Sequence, residues 1–123
     1  MVRRVLVVDD DPLLREVAKA ALEMVGGWEV LTAASGAEAL EVAARELPDA
    51  LLLDVMMPGQ DGPSTLVELR AQARTQDIPV IFLTAKVGGD SREEWKDLPA
   101  SGVIGKPFDP MTLSAEVAQL LGW

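Results

Sequence analysis

The sequence contains no cysteine and no histidine. Without them, the chain cannot form disulfides, use a thiolate nucleophile or an imidazole base, or build the usual zinc site. Any metal ion that it binds must therefore be a hard cation held by oxygen atoms. Long hydrophobic runs are also missing, because no run approaches the ~20 residues of a membrane span. The basic start Met1–Arg4 leads into an apolar run that soon meets three aspartates, which is not the pattern of a signal peptide.

Positive charge is scarce as well. The chain has 11 Lys and Arg against 20 Asp and Glu, a formal net charge of -9. This charge opposes binding to nucleic acid and to anionic lipid. A length of 123 residues with 49% hydrophobic residues is enough for one domain with a buried core. We therefore expect residues 1–123 to form a single cytoplasmic domain that contacts neither nucleic acid nor a membrane directly.

Short hydrophobic runs alternate with segments of helical periodicity along the whole chain. An unbroken run of four or five apolar residues is typical of a strand buried on both faces. The predicted strands are Val5–Val8, Trp28–Thr32, Ala50–Asp54, Pro79–Leu83 and Gly102–Gly105. Strict alternation predicts an α/β fold, a five-stranded parallel sheet with helices on both faces and right-handed crossovers.

Helix starts and inward faces can also be predicted. Asp11-Pro12 and Asp109-Pro110 each combine a capping residue with proline at the first helical position, and Ser35–Glu38 matches a capping box. A third helix starts at about Pro63, and a short, charged helix covers Ser91–Asp97. The residues expected to face the core are Leu14, Val17, Ala18, Ala21, Leu22 and Val25, then Leu40, Ala43 and Leu47, then Leu66, Leu69 and Ala73, and finally Leu113, Val117, Leu120 and Leu121.

Polar residues stand where the predicted strands end. Strand one is followed by Asp9 and Asp10, strand three ends in Asp54, strand four in Thr84 and strand five in Lys106. In a parallel sheet these ends share one edge, the edge at which open α/β sheets bind ligands. Clustered carboxylates need a cation, and Mg²⁺ suits oxygen ligands. A carboxylate can also attack phosphorus, while Lys and Mg²⁺ neutralise phosphoryl oxygens.

Each of these residues also has an ordinary structural interpretation. Asp9–Asp11 could be an acidic helix-capping turn, Asp54 could begin a surface turn, and Asp61-Gly62 could be a plain turn. Thr84 could be an ordinary strand-end threonine, and Lys106 a solvated surface lysine. Their joint placement on one edge favours a functional site over these separate explanations.

The chain resembles the receiver domain of bacterial two-component response regulators over essentially its whole length. The matching segments are Val5–Pro12, Leu51–Gly59, Asp61-Gly62, Pro79–Ala85 and Lys106–Phe108. The resemblance implies a doubly wound, flavodoxin-like fold with strand order 2-1-3-4-5. It also implies that the chain is a signalling domain and not an enzyme. Such a domain catalyses only its own phosphorylation and dephosphorylation.

The resemblance assigns a role to individual residues. Asp54 would be the phosphoacceptor, and Asp9 and Asp10 would hold Mg²⁺ together with Asp54 and the backbone carbonyl of Met56. The remaining assignments are Thr84 as the switch hydroxyl, Ala85 as the small residue beside it, Lys106 as the partner of the phosphoryl oxygens, and a cis bond before Pro107. Val103 departs from the family, many of whose members have Tyr or Phe there, so an aromatic switch is excluded.

The resemblance also implies partners. The phosphoryl donor would be a phosphohistidine on a sensor histidine kinase or phosphotransfer protein, since this chain has no histidine. A downstream target would bind the face built from the helix at Ser91–Asp97, strand five and the last helix. With no output domain after Trp123, the chain would be a stand-alone or excised receiver, as a monomer or weak homodimer.

Three other interpretations remain open. A haloacid-dehalogenase-like hydrolase also uses an aspartyl phosphate, but it has an acidic residue where this chain has Met56. A degenerate receiver would bind a protein without being phosphorylated. A dinucleotide-binding or flavodoxin-like module is disfavoured because strand one is followed by Asp9 and Asp10 and by no glycine-rich loop.

Overall fold

The computed structural model describes residues 2–84 and 100–123 of the chain. Strands and helices alternate along it as β1 (Arg4–Val8), α1 (Pro12–Met24), β2 (Glu29–Ala33), α2 (Gly36–Glu46), β3 (Ala50–Asp54), α3 (Gly62–Ala71), β4 (Val80–Thr84), β5 (Gly102–Gly105) and α4 (Leu113–Leu121). All five predicted strands are present, and none of their ends differs from the prediction by more than one residue. The helix predicted at Ser91–Asp97 lies outside the described residues.

The sheet has the order β2-β1-β3-β4-β5, and each neighbouring pair is parallel. This confirms the doubly wound fold expected from the sequence. The register pairs Val8 with Leu53, Asp54 with Leu83 and Thr84 with Gly105. The carboxyl ends of β1, β3, β4 and β5 therefore lie at nearly the same level, which brings the residues at or just after them to one edge.

Successive residues of the central strands point to opposite faces of the sheet. On one face, Leu51, Leu53 and Phe82 pack with the buried residues of α2 and α3. On the other face, Leu52 and Ile81 pack with those of α1 and α4. Burying one such side chain stabilises a fold by about 1.5–3 kcal/mol. Within the described part of the chain, no helix is both long and apolar enough to span a membrane.

The predicted caps of α1 and α2 form, with one variation. Asp11 Oδ1 accepts hydrogen bonds from Leu13 N at 2.9 Å and Leu14 N at 3.4 Å at the start of α1. Ser35 Oγ accepts from Glu38 N at 3.1 Å. The return bond of this capping box goes one residue further than usual, because Glu38 Oε1 accepts from Ala34 N.

Four residues predicted to face the core are exposed instead. Val25, Leu47 and Ala73 lie just beyond the ends of α1, α2 and α3, so the helical periodicity that predicted their burial no longer applies. Their places in the core are taken by residues inside the helices, such as Ala39 and Val42 of α2. Leu120 is 39% exposed, although it lies in α4 and its side chain stands beside Gly102.

The last helix begins later than Asp109-Pro110 predicts. The carbonyl oxygen of Asp109 accepts from Thr112 N at 3.1 Å as well as from Leu113 N at 3.0 Å. The first of these bonds spans only three residues and makes a tight turn, while Asp109 Oδ1 caps Met111 N at 2.9 Å. Regular α-helix therefore starts at Leu113, after the turn.

Candidate functional site

A cleft of about 290 Å³ lies at the carboxyl edge of the sheet. Lys106, directly after β5, joins the two sides of this cleft. Its Nζ lies 2.8 Å from Asp9 Oδ2 and 3.0 Å from Asp54 Oδ1. The residues lining the cleft are Asp9, Asp10, Asp11, Leu14, Asp54, Met56 and Lys106. Residues from the ends of three strands, far apart in sequence, thus meet as predicted.

Asp9 is held by contacts to its backbone and to its side chain. Its N–H donates to the Ala33 carbonyl at 3.2 Å, which continues the β1–β2 pairing by one residue. Its Oδ1 accepts from Asp11 N at 2.9 Å, and its carbonyl oxygen accepts from Arg15 Nη1 at 2.7 Å. The Arg15 contact was not predicted, because residue spacing alone does not show that this side chain turns back toward β1. These contacts hold Asp9 in one position at the side of the cleft, unlike a flexible surface carboxylate.

Asp54 is only 4% exposed, which is unusual for a carboxylate. Its Oδ1 accepts from Met56 N at 3.3 Å in addition to the Lys106 contact. Burial raises the pKa of Asp54 to about 6, because desolvation and the nearby Asp9 outweigh the opposite effect of Lys106. Burial alone would lower the pKa of Lys106, but the two carboxylates overcome this and raise it. The ammonium of Lys106 thus stays charged beside a carboxylate that is easily protonated.

The donor atoms of the cleft fit a small hard cation. One carboxylate oxygen each from Asp9, Asp10 and Asp54 lies within 4.8 Å of the other two. Asp9 Oδ2 is buried and accepts no well-directed hydrogen bond from the described residues, although it stands next to Lys106 Nζ. Asp10 is exposed and opens the site to water, which suits an ion that keeps part of its hydration. Carboxylate oxygens together with water are ligands that suit Mg²⁺.

The other predicted site residues lie around this cleft. Thr84 ends β4, is 1% exposed, and its carbonyl oxygen accepts from Lys106 N at 2.9 Å. Thr84 is not among the described residues that line the cleft. Val103 is partly buried in β5 opposite Phe82, and the Lys106–Pro107 peptide bond is cis as predicted. Ala85 lies outside the described residues.

Comparisons with known proteins agree on one family. The family model described as the response regulator receiver domain matches residues 5–118. Among curated proteins, the chain is 41% identical over 119 residues to the probable transcriptional regulator ycf27 of Cyanophora paradoxa, which covers 97% of this chain and 48% of that protein. The chain therefore spans about half the length of curated relatives such as this one.

Solved structures show the same fold. The chemotaxis response regulator CheY4 of Vibrio cholerae superposes with a TM-score of 0.90 at 32% identity, covering 98% of this chain and 99% of that chain. The receiver domain of the sensor histidine kinase PA1611 from Pseudomonas aeruginosa superposes with a TM-score of 0.88 at 31% identity, covering 100% of both chains. That structure has a magnesium ion coordinated in its active site cleft.

Proposed function

The chain belongs to the family of response regulator receiver domains of two-component systems, and from this premise we propose that it accepts a phosphoryl group on Asp54. The observation that carries the proposal is the position of Asp54, a nearly buried carboxylate that shares Lys106 with Asp9 and lies near Asp10 in an open cleft. A carboxylate in this setting can act as a nucleophile toward phosphorus.

We further propose that Mg²⁺ binds in the cleft through Asp9, Asp10, Asp54 and the backbone carbonyl of Met56. The spacing of the three carboxylates and the buried Oδ2 of Asp9 support this ligand set. When bound, the ion would neutralise phosphoryl oxygens and lessen the repulsion between the carboxylates and an anionic donor.

The residues of the chain have distinct tasks in the proposed transfer. The carboxylate of Asp54 provides an electron pair for a new oxygen–phosphorus bond, while the phosphorus–nitrogen bond of the donor phosphohistidine breaks and its electron pair stays on the imidazole. Lys106 already contacts Asp54 Oδ1 at 3.0 Å, so its ammonium is placed beside an oxygen of the reacting group. Because the acceptor is fixed before the donor arrives, the reaction depends chiefly on position and charge.

The family to which the chain belongs also suggests its phosphoryl donor and the kind of target that it binds. The donor would be a sensor histidine kinase or a phosphotransfer protein in the cytoplasm, and residues 1–123 would act as one receiver domain that catalyses only its own phosphorylation and dephosphorylation. Thr84 would be the switch hydroxyl and Ala85 the small neighbour. The downstream target, of unknown identity, would bind a face that includes β5 and α4, while the chain stays a monomer or a weak homodimer without contact to nucleic acid.

Intact-mass spectrometry after incubation with a small phosphodonor and Mg²⁺ tests the proposal. We expect a mass increase of one phosphoryl group, and no increase when Mg²⁺ is chelated before the phosphodonor is added. Asp54→Asn should abolish the increase, whereas Asp49→Asn should not, since Asp49 lies at the opposite end of β3 and accepts from Arg4 N at 2.8 Å. A wild-type protein that gains no mass would instead support a degenerate receiver, and labelling of Asp54→Asn would show that another residue is the acceptor.

A further inference from the structure

Arg15 lies in α1 and reaches back to the strand that precedes its own helix. Its Nη1 donates to the carbonyl oxygen of Asp9 at 2.7 Å, across six residues of sequence. Its backbone N–H donates to the Asp11 carbonyl at 3.0 Å, so the first turn of α1 fixes the base of this side chain. Charge-assisted bonds of this length are among the stronger hydrogen bonds in proteins.

This contact acts on the peptide that joins the two acidic residues. The carbonyl of Asp9 and the N–H of Asp10 belong to one planar peptide unit, so holding the carbonyl fixes the direction in which Asp10 leaves β1. Asp10 is exposed, and no hydrogen bond or ion pair holds its carboxylate among the described residues. The orientation of its side chain therefore depends on the backbone that Arg15 holds.

We infer that Arg15 is a positioning residue for the cation site, which holds the Asp9–Asp10 peptide so that both carboxylates face the cleft. The inference rests on the proposed function, because it assumes that a divalent cation binds there. Removing a residue that orients a metal ligand without touching the metal itself commonly changes metal affinity by about 10–100-fold.

A simple charge effect predicts the opposite change in Mg²⁺ affinity when Arg15 is removed. The guanidinium of Arg15 is a positive charge close to the site, and it repels a second cation. If charge alone mattered, removing Arg15 would tighten Mg²⁺ binding. If Arg15 positions the ligands, removing it will weaken binding in spite of the lost repulsion. The direction of the change separates the two effects.

The test is Mg²⁺ titration by isothermal calorimetry on the wild type and its variants. We expect Arg15→Met to raise the Mg²⁺ dissociation constant by about tenfold. The side chain of Arg15→Gln is uncharged and shorter than arginine, so this variant should weaken Mg²⁺ binding similarly. It replaces Arg15→Met as the test if Arg15→Met does not fold. Arg15→Lys, which keeps one long donor, should recover much of the affinity. Lys19→Met is the matched control, since it removes a positive charge one turn further along α1.

A second readout separates positioning from general destabilisation. With saturating Mg²⁺, Arg15→Met should be phosphorylated at nearly the wild-type rate, because the chemical groups are intact and only cation binding is impaired. Unchanged or tighter Mg²⁺ binding by the Arg15 variants would overturn the inference while the proposed function stands. A wild type that neither binds Mg²⁺ nor accepts a phosphoryl group would overturn the proposed function itself, and the inference with it.

Discussion

Gly62 lies directly against the backbone of Asp54. A Cβ atom on Gly62 would stand 2.5 Å from the Asp54 carbonyl oxygen and 3.0 Å from the α-carbon of Val55. Gly62 N also donates to the Val55 carbonyl at 3.0 Å. The first residue of α3 therefore packs on the end of β3 with no room for a side chain, and it closes the loop that carries Met56 along one side of the cleft.

Gly62→Ala should consequently disturb both stability and the site. The added methyl group must displace the backbone of Asp54 or move α3, and overpacking of this kind destabilises a fold by about 1–3 kcal/mol. We expect weaker Mg²⁺ binding as well, since Asp54 would shift. Urea unfolding and calorimetric Mg²⁺ titration provide the measurements.

Gly59→Ala is the matched control for this variant. Gly59 lies in the same loop with φ +81, but a Cβ there meets no described atom within 4 Å. The penalty should be limited to the left-handed backbone, about 1–2 kcal/mol. If Gly62→Ala binds Mg²⁺ as tightly as the wild type does, the contact with Asp54 does not position the site.

The raised pKa of Asp54 predicts how the stability of the metal-free protein depends on pH. Its folded-state pKa of about 6 lies above the ordinary value of 3.8, so the folded protein binds a proton that the unfolded chain releases. The carboxylate therefore destabilises the fold fully above the folded pKa, and this penalty disappears as the pH falls below the ordinary value. A shift of about two units corresponds to at most about 3 kcal/mol, and to less where water from the cleft screens the charge.

Asp54→Asn should remove this penalty. In EDTA, we expect the variant to be more stable than the wild type at about pH 8, with the difference shrinking toward about pH 4. Lys106 would still have Asp9 as a partner at 2.8 Å. Denaturant unfolding across this pH range tests the prediction, with Asp49→Asn as the control at the other end of β3. A variant less stable than the wild type at high pH would contradict it.

Met56 should make the phosphorylated state long-lived. Its side chain is 61% exposed at the cleft that contains Asp54, where a water molecule must approach to attack the phosphoryl group. A thioether cannot orient that water by a strong hydrogen bond, whereas an amide can. Met56→Asn should therefore shorten the lifetime of the phosphorylated protein severalfold, measured by loss of the phosphoryl mass after removal of the donor.

Met56→Leu is the apolar control for that prediction. It keeps the size and the lack of hydrogen bonding, so its lifetime should match that of the wild type. An Asn variant whose phosphoryl group persists as long as that of the Leu variant would show that water orientation at this position does not control hydrolysis.

Much of the fold could be predicted because its signals are local. A short apolar run such as Leu51–Leu53, ended by Pro58 and Gly59, favours a buried parallel strand, and the residues at the strand ends meet because neighbouring parallel strands end at the same edge. Helix ends were predicted less well. Leu47 continues the apolar periodicity of α2 but lies in the left-handed region with φ 48, where the helix has already ended.

The predicted site residues could be identified by residue type, but their supporting contacts could not. Neither the bond from Arg15 to the Asp9 carbonyl nor the close approach of Gly62 to Asp54 follows from spacing in the sequence. Both depend on how a helix packs against the end of a strand, which is a tertiary property. The sequence therefore predicted which charged side chains meet in the cleft, and the structure adds the contacts that hold them in place.

Hydrogen bonds and an ion pair link Asp54 in the cleft to β4 and β5. Lys106 contacts Asp54 through its side chain and the Thr84 carbonyl through its backbone, at 3.0 Å and 2.9 Å. Thr84 in turn pairs with Gly105 across the two strands. A new charge on Asp54 that shifts the backbone at Lys106 or Thr84 should therefore shift β5 too, because these backbones are hydrogen-bonded to each other. Val103 has no aromatic ring to rotate, so the response should be a backbone shift.

Beryllofluoride with Mg²⁺, as a phosphoryl mimic, should reveal this shift in backbone amide NMR spectra. We expect changes at residues 85–97 and at Gly102–Gly105, while Ala18–Glu23 stays nearly still because it forms the C-terminal half of α1, whose first turn is the part next to the cleft. Thr84→Ala should retain phosphorylation but reduce the shift, since the hydroxyl that would follow the phosphoryl group is lost. Thr32→Ala, in the edge strand β2, should leave it unchanged. If the mimic binds and only the immediate neighbours of Asp54 respond, then β5 does not transmit the signal and this face is not the output surface.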